Sequence, residues 1–372
     1  MIPLLKPKLP NWSQLEDYIS ESEYCAHYSN FGPCHGKLIN KLSIHYSIDS
    51  RSICLFSSAT LALSLIILYY KQLSVSRQFT VALPSWTFAA SAQAVKSVGA
   101  DILFFDTDNS GYLNIDALEE ACKENNKLID AILFVVPFGS SYDSYLERLK
   151  YLQEKYNKPV IIDCAAGFSS LLSSNLPTVV STHATKFMPT AEGGFLVCED
   201  FDLISRLKAS TNFGFSGSRE SSVLGTNAKM SEYHAALGLA FMKNYLSDRI
   251  NTYKAQFSEY SRLIELYCSK SASIFLNSIN YPVSTFNIRL SESDQLSIDE
   301  LSIRLMRDHG IETRRWWNLP LHMHSAFCDV HCYGELQNTH LLHQSVFAIP
   351  FGSHLNPQLQ EFIISSLAKC IS

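Results

Sequence analysis

The chain has 372 residues, of which 17% are charged and 47% hydrophobic, and its formal net charge is -5. A chain of this length exceeds what one core usually fills, and this composition buries a sizeable core instead of staying disordered. Without a long basic run it offers neither a nucleic-acid surface nor a polybasic membrane patch.

The first residues, "MIPLLKPKLPNW", are broken by three prolines and lack an apolar run with a cleavage site, so no signal peptide is expected. The most lipid-like stretch is residues 53–70, "ICLFSSATLALSLIILYY". Ser57, Ser58, Thr60 and Ser64 argue against a bilayer span, and the Ser57-Ser58 break divides it into a strand and a helix. From there strands and helices alternate. "RSICLF" precedes "ATLALSLIILYYKQL", and "FTVALP" precedes "TFAASAQAVKSVG"; then come "DILFFDT", "DAILFVVPFG", "KPVIIDCAA", "TVVSTHA" and "GGFLVCE". Unalternated apolar strands are buried on both faces, and alternation with helices predicts an α/β fold with a mostly parallel sheet. Ligands collect at the carboxyl ends of such strands. Here those ends read Ser57 to Thr60, Ser85 to Phe88, Asp163, and Ser181 to Lys186.

After about residue 245 the texture changes. A helix is predicted over "LSDRINTYKAQFSEYSRLIELY", a strand at "VSTFNIRL", and helices near "SIDELSIRLMRDHG" and "PQLQEFIISSLAKC". The expected division is a large domain over 1–245 with an N-terminal arm, and a smaller α+β domain over 246–372. Ten cysteines follow no disulfide spacing, and Cys54, Cys164 and Cys198 lie inside apolar runs. That usage suits a reducing cytoplasm.

Three features carry chemistry. Ser58-Ala59-Thr60 join a strand to a helix, so they are either an ordinary N-cap or an anion cradle. Asp163 ends a buried run, where a carboxylate needs a cationic partner, a cap or a ligand. Lys186 follows His183 and Thr185 and precedes "AEGG", 23 residues after Asp163. It reads as a solvated loop lysine or as an amine set to form a Schiff base. A lysine for an aldehyde, an aspartate for a pyridinium and a helix start for a phosphate together suit pyridoxal 5'-phosphate.

In sequence order, "SNFGP", "SSATLAL", "LPSWTFAASAQAV", "FFDTD", "VVPFG", "VIIDCAAGF", "STHATKFMPTAEGG", "GTNAKMSEYHAALGL" and "GIETRRWW" cover most of the chain. Together they resemble the DegT/StrS family of pyridoxal-phosphate-dependent sugar-nucleotide aminotransferases. The resemblance implies the aspartate-aminotransferase fold (fold type I), with a seven-stranded, mostly parallel sheet between helices. It implies Lys186 as the Schiff-base lysine and proton shuttle, and Asp163 as the partner of the ring nitrogen. Phe88 and Ala165 would cover the two ring faces; Ala59, Thr60 and Ser181 would hold the phosphate. Asn227 would reach the phosphate of a neighbouring subunit, making a homodimer with shared sites. Candidate substrate contacts are His183, Lys229, Arg314, Arg315 and His322, with Trp316 and Trp317 as stacking platforms.

The implied reaction moves an amino group from L-glutamate, through the pyridoxamine phosphate form, to a nucleotide-linked, 4-keto-6-deoxy type hexose. Two positions depart from the family pattern: Ala166 stands where many members carry Gln or His, and Ala191 replaces the first glycine of "GEGG". The competing readings are a cofactor-binding protein without catalysis, a different keto substrate, and a metal site in "LHMHSAFCDVHC". The last follows no standard zinc spacing, and no metal is expected.

Overall fold

The computed structural model describes residues 1–76, 78–168, 175–276, 280, 282–291 and 297–371. Two helices open the chain, α1 (Trp12–Tyr24) and α2 (Pro33–Tyr46). Alternation then begins with β1 (Ile53–Phe56), α3 (Ala59–Leu73), β2 (Thr80–Pro84), α4 (Ala89–Ser97) and β3 (Asp101–Phe105). It continues through α5 (Ile115–Glu124), β4 (Ala131–Val135), α6 (Asp143–Tyr156) and β5 (Val160–Asp163). Next come β6 (Thr178–Ser181), β7 (Gly194–Val197), α7 (Phe201–Ser210), α8 (Glu232–Asn244) and the long α9 (Leu246–Cys268). The chain closes with β8 (Ala272–Ile274), β9 (Phe286–Leu290), α10 (Ile298–His309), α11 (Gln337–Ser345), β10 (Val346–Ile349) and α12 (Pro357–Ile371).

Seven strands form one sheet in the order β1-β7-β6-β5-β4-β2-β3. β7 is antiparallel to both its neighbours, so the other six run the same way. This is the expected mostly parallel, seven-stranded α/β sheet. Side chains alternate across it. Val81, Leu83 and Leu133 pack with α3 and α4, while Ala82, Ile132 and Phe134 pack with α5 and α6. Both faces are therefore dry, which is why the strands read as unbroken apolar runs. β8, β9 and β10 form a second, antiparallel sheet. One apolar cluster joins that sheet to α1, α2, α8, α9 and α12.

The serine break at Ser57-Ser58 divides strand from helix as expected, because Ser58 accepts a hydrogen bond from the Leu61 N–H and caps α3. No helix among the described residues is long and apolar enough to cross a membrane. Cys54, Cys164 and Cys198 are buried, and all ten cysteines are free thiols.

Candidate active site

At the carboxyl edge of the large sheet the chain encloses a cavity of about 490 Å³. Its floor is made by the ends of β5 and β6. Asp163, the last residue of β5, is 5% exposed. Its Oδ2 accepts from Ser91 Oγ at 2.7 Å and its Oδ1 from the Ala165 N–H at 3.2 Å. Ser91 lies in the first turn of α4, so that helix aims a hydroxyl at the strand end; Thr87 Oγ1 lies 3.2 Å from the same hydroxyl. Burial raises the Asp163 carboxyl above the usual carboxylate value, and Ser91, the Ala165 N–H and the Lys186 charge only partly oppose it.

Lys186 lines the same cavity from the loop between β6 and β7. That loop is closed on itself: Thr182 N–H donates to the Gly193 carbonyl (3.0 Å) and Thr190 N–H to the Thr182 carbonyl (2.7 Å). Ala184 N–H donates to Ala191 O (2.8 Å) and Lys186 N–H to His183 O (2.8 Å). Phe187 and Met188, wholly buried, anchor its far side. The lysine backbone is thereby fixed while its amine makes no hydrogen bond among the described residues. Burial lowers the amine below the ordinary lysine value, with the Asp163 charge opposing. A partly buried amine held toward its neutral form is a nucleophile and a base.

The third wall is the start of α3. The Ala59 and Thr60 N–H groups open that helix, with no carbonyl a turn earlier to receive them. Gly194 lets β7 come close to this turn, since a Cβ there would stand 2.6 Å from the Ala59 nitrogen. Ser181 ends β6 beside it. Phe88, 60% exposed despite its size, lines the cavity together with Ala165 and Ala166. His183 also lines the cavity; its Nδ1 lies 2.9 Å from Thr185 Oγ1 and its Nε2 3.6 Å from Glu192 Oε1. Arg314, Trp316 and Trp317 form the rim. Trp317 stacks on Phe138 (4.4 Å between rings) and meets Trp86 edge-on at 4.8 Å.

Ala59, Thr60, Phe88, Asp163, Ala165, Ser181, His183, Lys186 and Arg314 thus come together from distant parts of the sequence. Four candidates stand elsewhere. Arg315 is not among the lining residues and pairs with Asp299. His322 is not among them either, its Nδ1 lying 2.7 Å from Ser85 Oγ. Asn227 and Lys229 line a separate concavity of about 1130 Å³ with Lys208, Arg219 and Phe213. Among the described residues no group of three or more His, Cys, Asp or Glu side chains is arranged to hold a metal ion. Ser91, Glu192, Phe138 and Leu5 were not singled out in the sequence, yet all line the cavity. Only the hydroxyl of Ser91, one helical turn after Phe88, was a usable signal.

This geometry has close parallels. The model of the DegT/DnrJ/EryC1/StrS aminotransferase family matches residues 29–368. The chain belongs to this family. It is 28% identical over 377 residues to the dTDP-4-amino-4,6-dideoxy-D-glucose transaminase of Shigella dysenteriae, covering 97% of each chain. It is 26% identical to the UDP-4-amino-4,6-dideoxy-N-acetyl-beta-L-altrosamine transaminase of Campylobacter jejuni, covering 84% of each. The structure of NtdA from Bacillus subtilis, solved with its cofactor PMP bound, superposes with a TM-score of 0.85 at 21% identity. That match covers 96% of this chain and 81% of the other, and establishes the shared fold. The protein is thus a pyridoxal-phosphate-dependent aminotransferase of fold type I. The cavity fits that cofactor on its own terms: an amine with no hydrogen bond among the described residues for the aldehyde, a buried carboxylate for the ring nitrogen, and a helix start for the phosphate.

Proposed function

We propose that the protein moves the amino group of L-glutamate to the keto carbon of a nucleotide-linked hexose, of the 4-keto-6-deoxy type. The observation that carries the reading is the presence of Lys186 and Asp163 in one cavity, where among the described residues the amine makes no hydrogen bond and the carboxylate accepts from two donors. Pyridoxal phosphate, when bound, supplies an electron-withdrawing ring that stabilises negative charge on the carbon beside the transferred nitrogen. Asp163 would hold a proton at the ring nitrogen. Ala59 and Thr60 would offer their N–H groups to the phosphate, and Ser181 its hydroxyl. Phe88 and Ala165 would cover the ring.

Lys186 Nζ takes the proton from the donor's α-carbon and returns it on the other side of the nitrogen; in the second half-reaction it runs the same transfer backwards. Burial lowers the affinity of the amine for protons below that of an ordinary lysine, which favours this base role. The nucleotide-sugar acceptor is supported by what the Shigella and Campylobacter relatives are named for. An arginine and two tryptophans at the rim suit an anionic, ring-bearing substrate. We further propose a homodimer in which the concavity of Asn227 and Lys229 faces the partner's site. A boundary near residue 245 between a larger and a smaller domain, and a cytoplasmic location suited to free thiols, complete the reading.

The test is the visible spectrum of the protein loaded with pyridoxal phosphate. L-Glutamate should bleach the long-wavelength band of the wild type, and Lys186→Ala should lack that band and lose roughly 10²–10⁴-fold or more in rate, the worth of a positioned proton-transfer group. Bleaching followed by recovery on adding a keto nucleotide sugar establishes both half-reactions. A wild type that shows no band overturns the reading.

A further inference from the structure

The N-terminal arm is tied into the small antiparallel sheet's neighbourhood, more than 300 residues away in sequence. Ile2 N–H donates to the Gly310 carbonyl (2.7 Å), and Glu312 N–H donates to the Ile2 carbonyl (3.0 Å). Phe351 N–H donates to the Leu4 carbonyl (3.2 Å), and His354 Nε2 donates to the Pro3 carbonyl (3.0 Å). Leu4 is buried, and the next side chain, Leu5, lines the cavity that holds Lys186.

One carboxylate joins this arm to the rim. Glu312 Oε2 accepts from the Leu4 N–H at 3.0 Å, and Glu312 Oε1 accepts from Arg314 Nη2 at 2.9 Å. Arg314 is held from two other directions as well. Its backbone pairs with Ala348 in both senses (2.7 and 3.0 Å), and its guanidinium lies 5.2 Å from the centre of the Trp316 ring. The guanidinium is half exposed at the cavity, and among the described residues Glu312 is the sole side-chain partner of its five N–H donors. A pre-oriented arginine with most donors open is suited to a phosphate or carboxylate fork.

We propose that Leu5, held in place by the anchored Ile2–Leu4 segment, forms part of the wall of the acceptor site, and that Glu312 is the positioning residue that locks this arm to Arg314, aiming the guanidinium at the diphosphate of the acceptor. The inference rests on the nucleotide-sugar reading above. It assigns the arm to acceptor recognition and not to the chemistry on the amino donor. A carboxylate shared between a backbone N–H and an arginine makes the two move together. Loosening the arm therefore loosens Arg314.

The test uses the full-length, cofactor-loaded protein with dTDP and UDP as probes, followed by tryptophan fluorescence, alongside the two half-reactions measured separately. Glu312→Gln keeps an acceptor for Leu4 but removes the charge that orients Arg314; Leu5→Trp fills the wall. Both should weaken nucleoside-diphosphate binding and raise KM for the keto nucleotide sugar about fivefold to fiftyfold, and Glu312→Gln, which lies outside the cavity lining, should leave the glutamate half-reaction within twofold of wild type. Adding Glu312→Gln to Arg314→Gln should cost nothing further. Wild-type KM in Glu312→Gln, or a glutamate half-reaction slowed as much as the acceptor one, overturns the proposal while leaving the aminotransferase reading intact. A wild type that is bleached by glutamate but binds neither dTDP nor UDP and turns over no nucleotide sugar overturns both together.

Discussion

Two buried carboxylates, Asp163 and Glu232, show how this fold separates chemistry from scaffolding. Glu232, in the first turn of α8, is fully buried and accepts three hydrogen bonds: from Ser22 Oγ (2.9 Å), Cys34 N–H (2.6 Å) and His35 N–H (3.0 Å). The last two are opening N–H groups of α2, so the carboxylate satisfies a helix end and meets its dipole. The fit is close, since a Cβ on Gly32 would stand 2.7 Å from its Cδ. Asp163 has two donors and faces a cavity with an amine across it. A saturated buried charge holds elements together. An unsaturated one facing open volume waits for a ligand.

Between the two carboxylates, the larger effect on rate should come from Asp163→Asn. On the proposed role, losing the charge that would hold a proton on the ring nitrogen removes a charge-assisted contact of roughly 1.5–3 kcal/mol, so the glutamate half-reaction should slow by about 10- to 100-fold. Stability should move the other way. Burial raises the Asp163 value, so the folded chain binds that proton more tightly than the unfolded one. Its favourable contribution is present below the ordinary carboxylate value and is lost as pH rises through the raised one. In the cofactor-free protein at neutral pH, Asp163→Asn should therefore leave the unfolding midpoint unchanged or higher. Thermal unfolding of the cofactor-free pair across pH 4–8 checks this, and a midpoint that falls at pH 7 would place Asp163 among the scaffold groups.

Glu232→Gln should invert that pattern. The amide keeps one acceptor but sets an N–H₂ against the α2 N–H groups, so about 2–3 kcal/mol of stability should be lost. Denaturant titration should show the lower midpoint, with the half-reaction rates of the folded fraction unchanged. A loss below about 0.5 kcal/mol, the range of ordinary surface changes, would mean that solvent reaches the α2 start and that the comparison with Asp163 fails.

The seven strands of the large sheet were legible because each is a short apolar run buried on both faces. Asp163 was legible because a charged group at the end of an apolar run is expensive without a purpose, and Lys186 because of the hydroxyl and glycine residues around it. Other elements left weaker traces. β8 is three residues long and partly exposed, and β10 follows α11 directly, with no glycine or proline between Ser345 and Val346. The split between Arg314 and Arg315 was hidden for a different reason. Adjacent residues on an extended segment point to opposite sides, and only the pairing of Arg314 with Ala348 decides which one faces the cavity. Leu5 was invisible to any local pattern, because its place depends on hydrogen bonds to residues 310–354.

The smallest effect concerns a departure that the sequence showed and the backbone now explains. Ala191, where the family pattern has glycine, sits at φ +68° in the loop that carries Lys186. An L-residue with a Cβ pays roughly 1–2 kcal/mol in that left-handed region. The loop tolerates it because Ala191 accepts from Ala184 N–H and the flanking Thr182–Thr190 bonds close the same turn. Ala191→Gly removes that strain, while the unfolded chain gains freedom that offsets about 0.5–1 kcal/mol of the benefit. The net gain should be a few tenths to about 1 kcal/mol in denaturant titration, with Lys186 reactivity toward pyridoxal phosphate unchanged. A faster or slower reaction of the lysine, at unchanged stability, would instead mean that the strain at Ala191 is transmitted five residues back and helps to set the position of the amine.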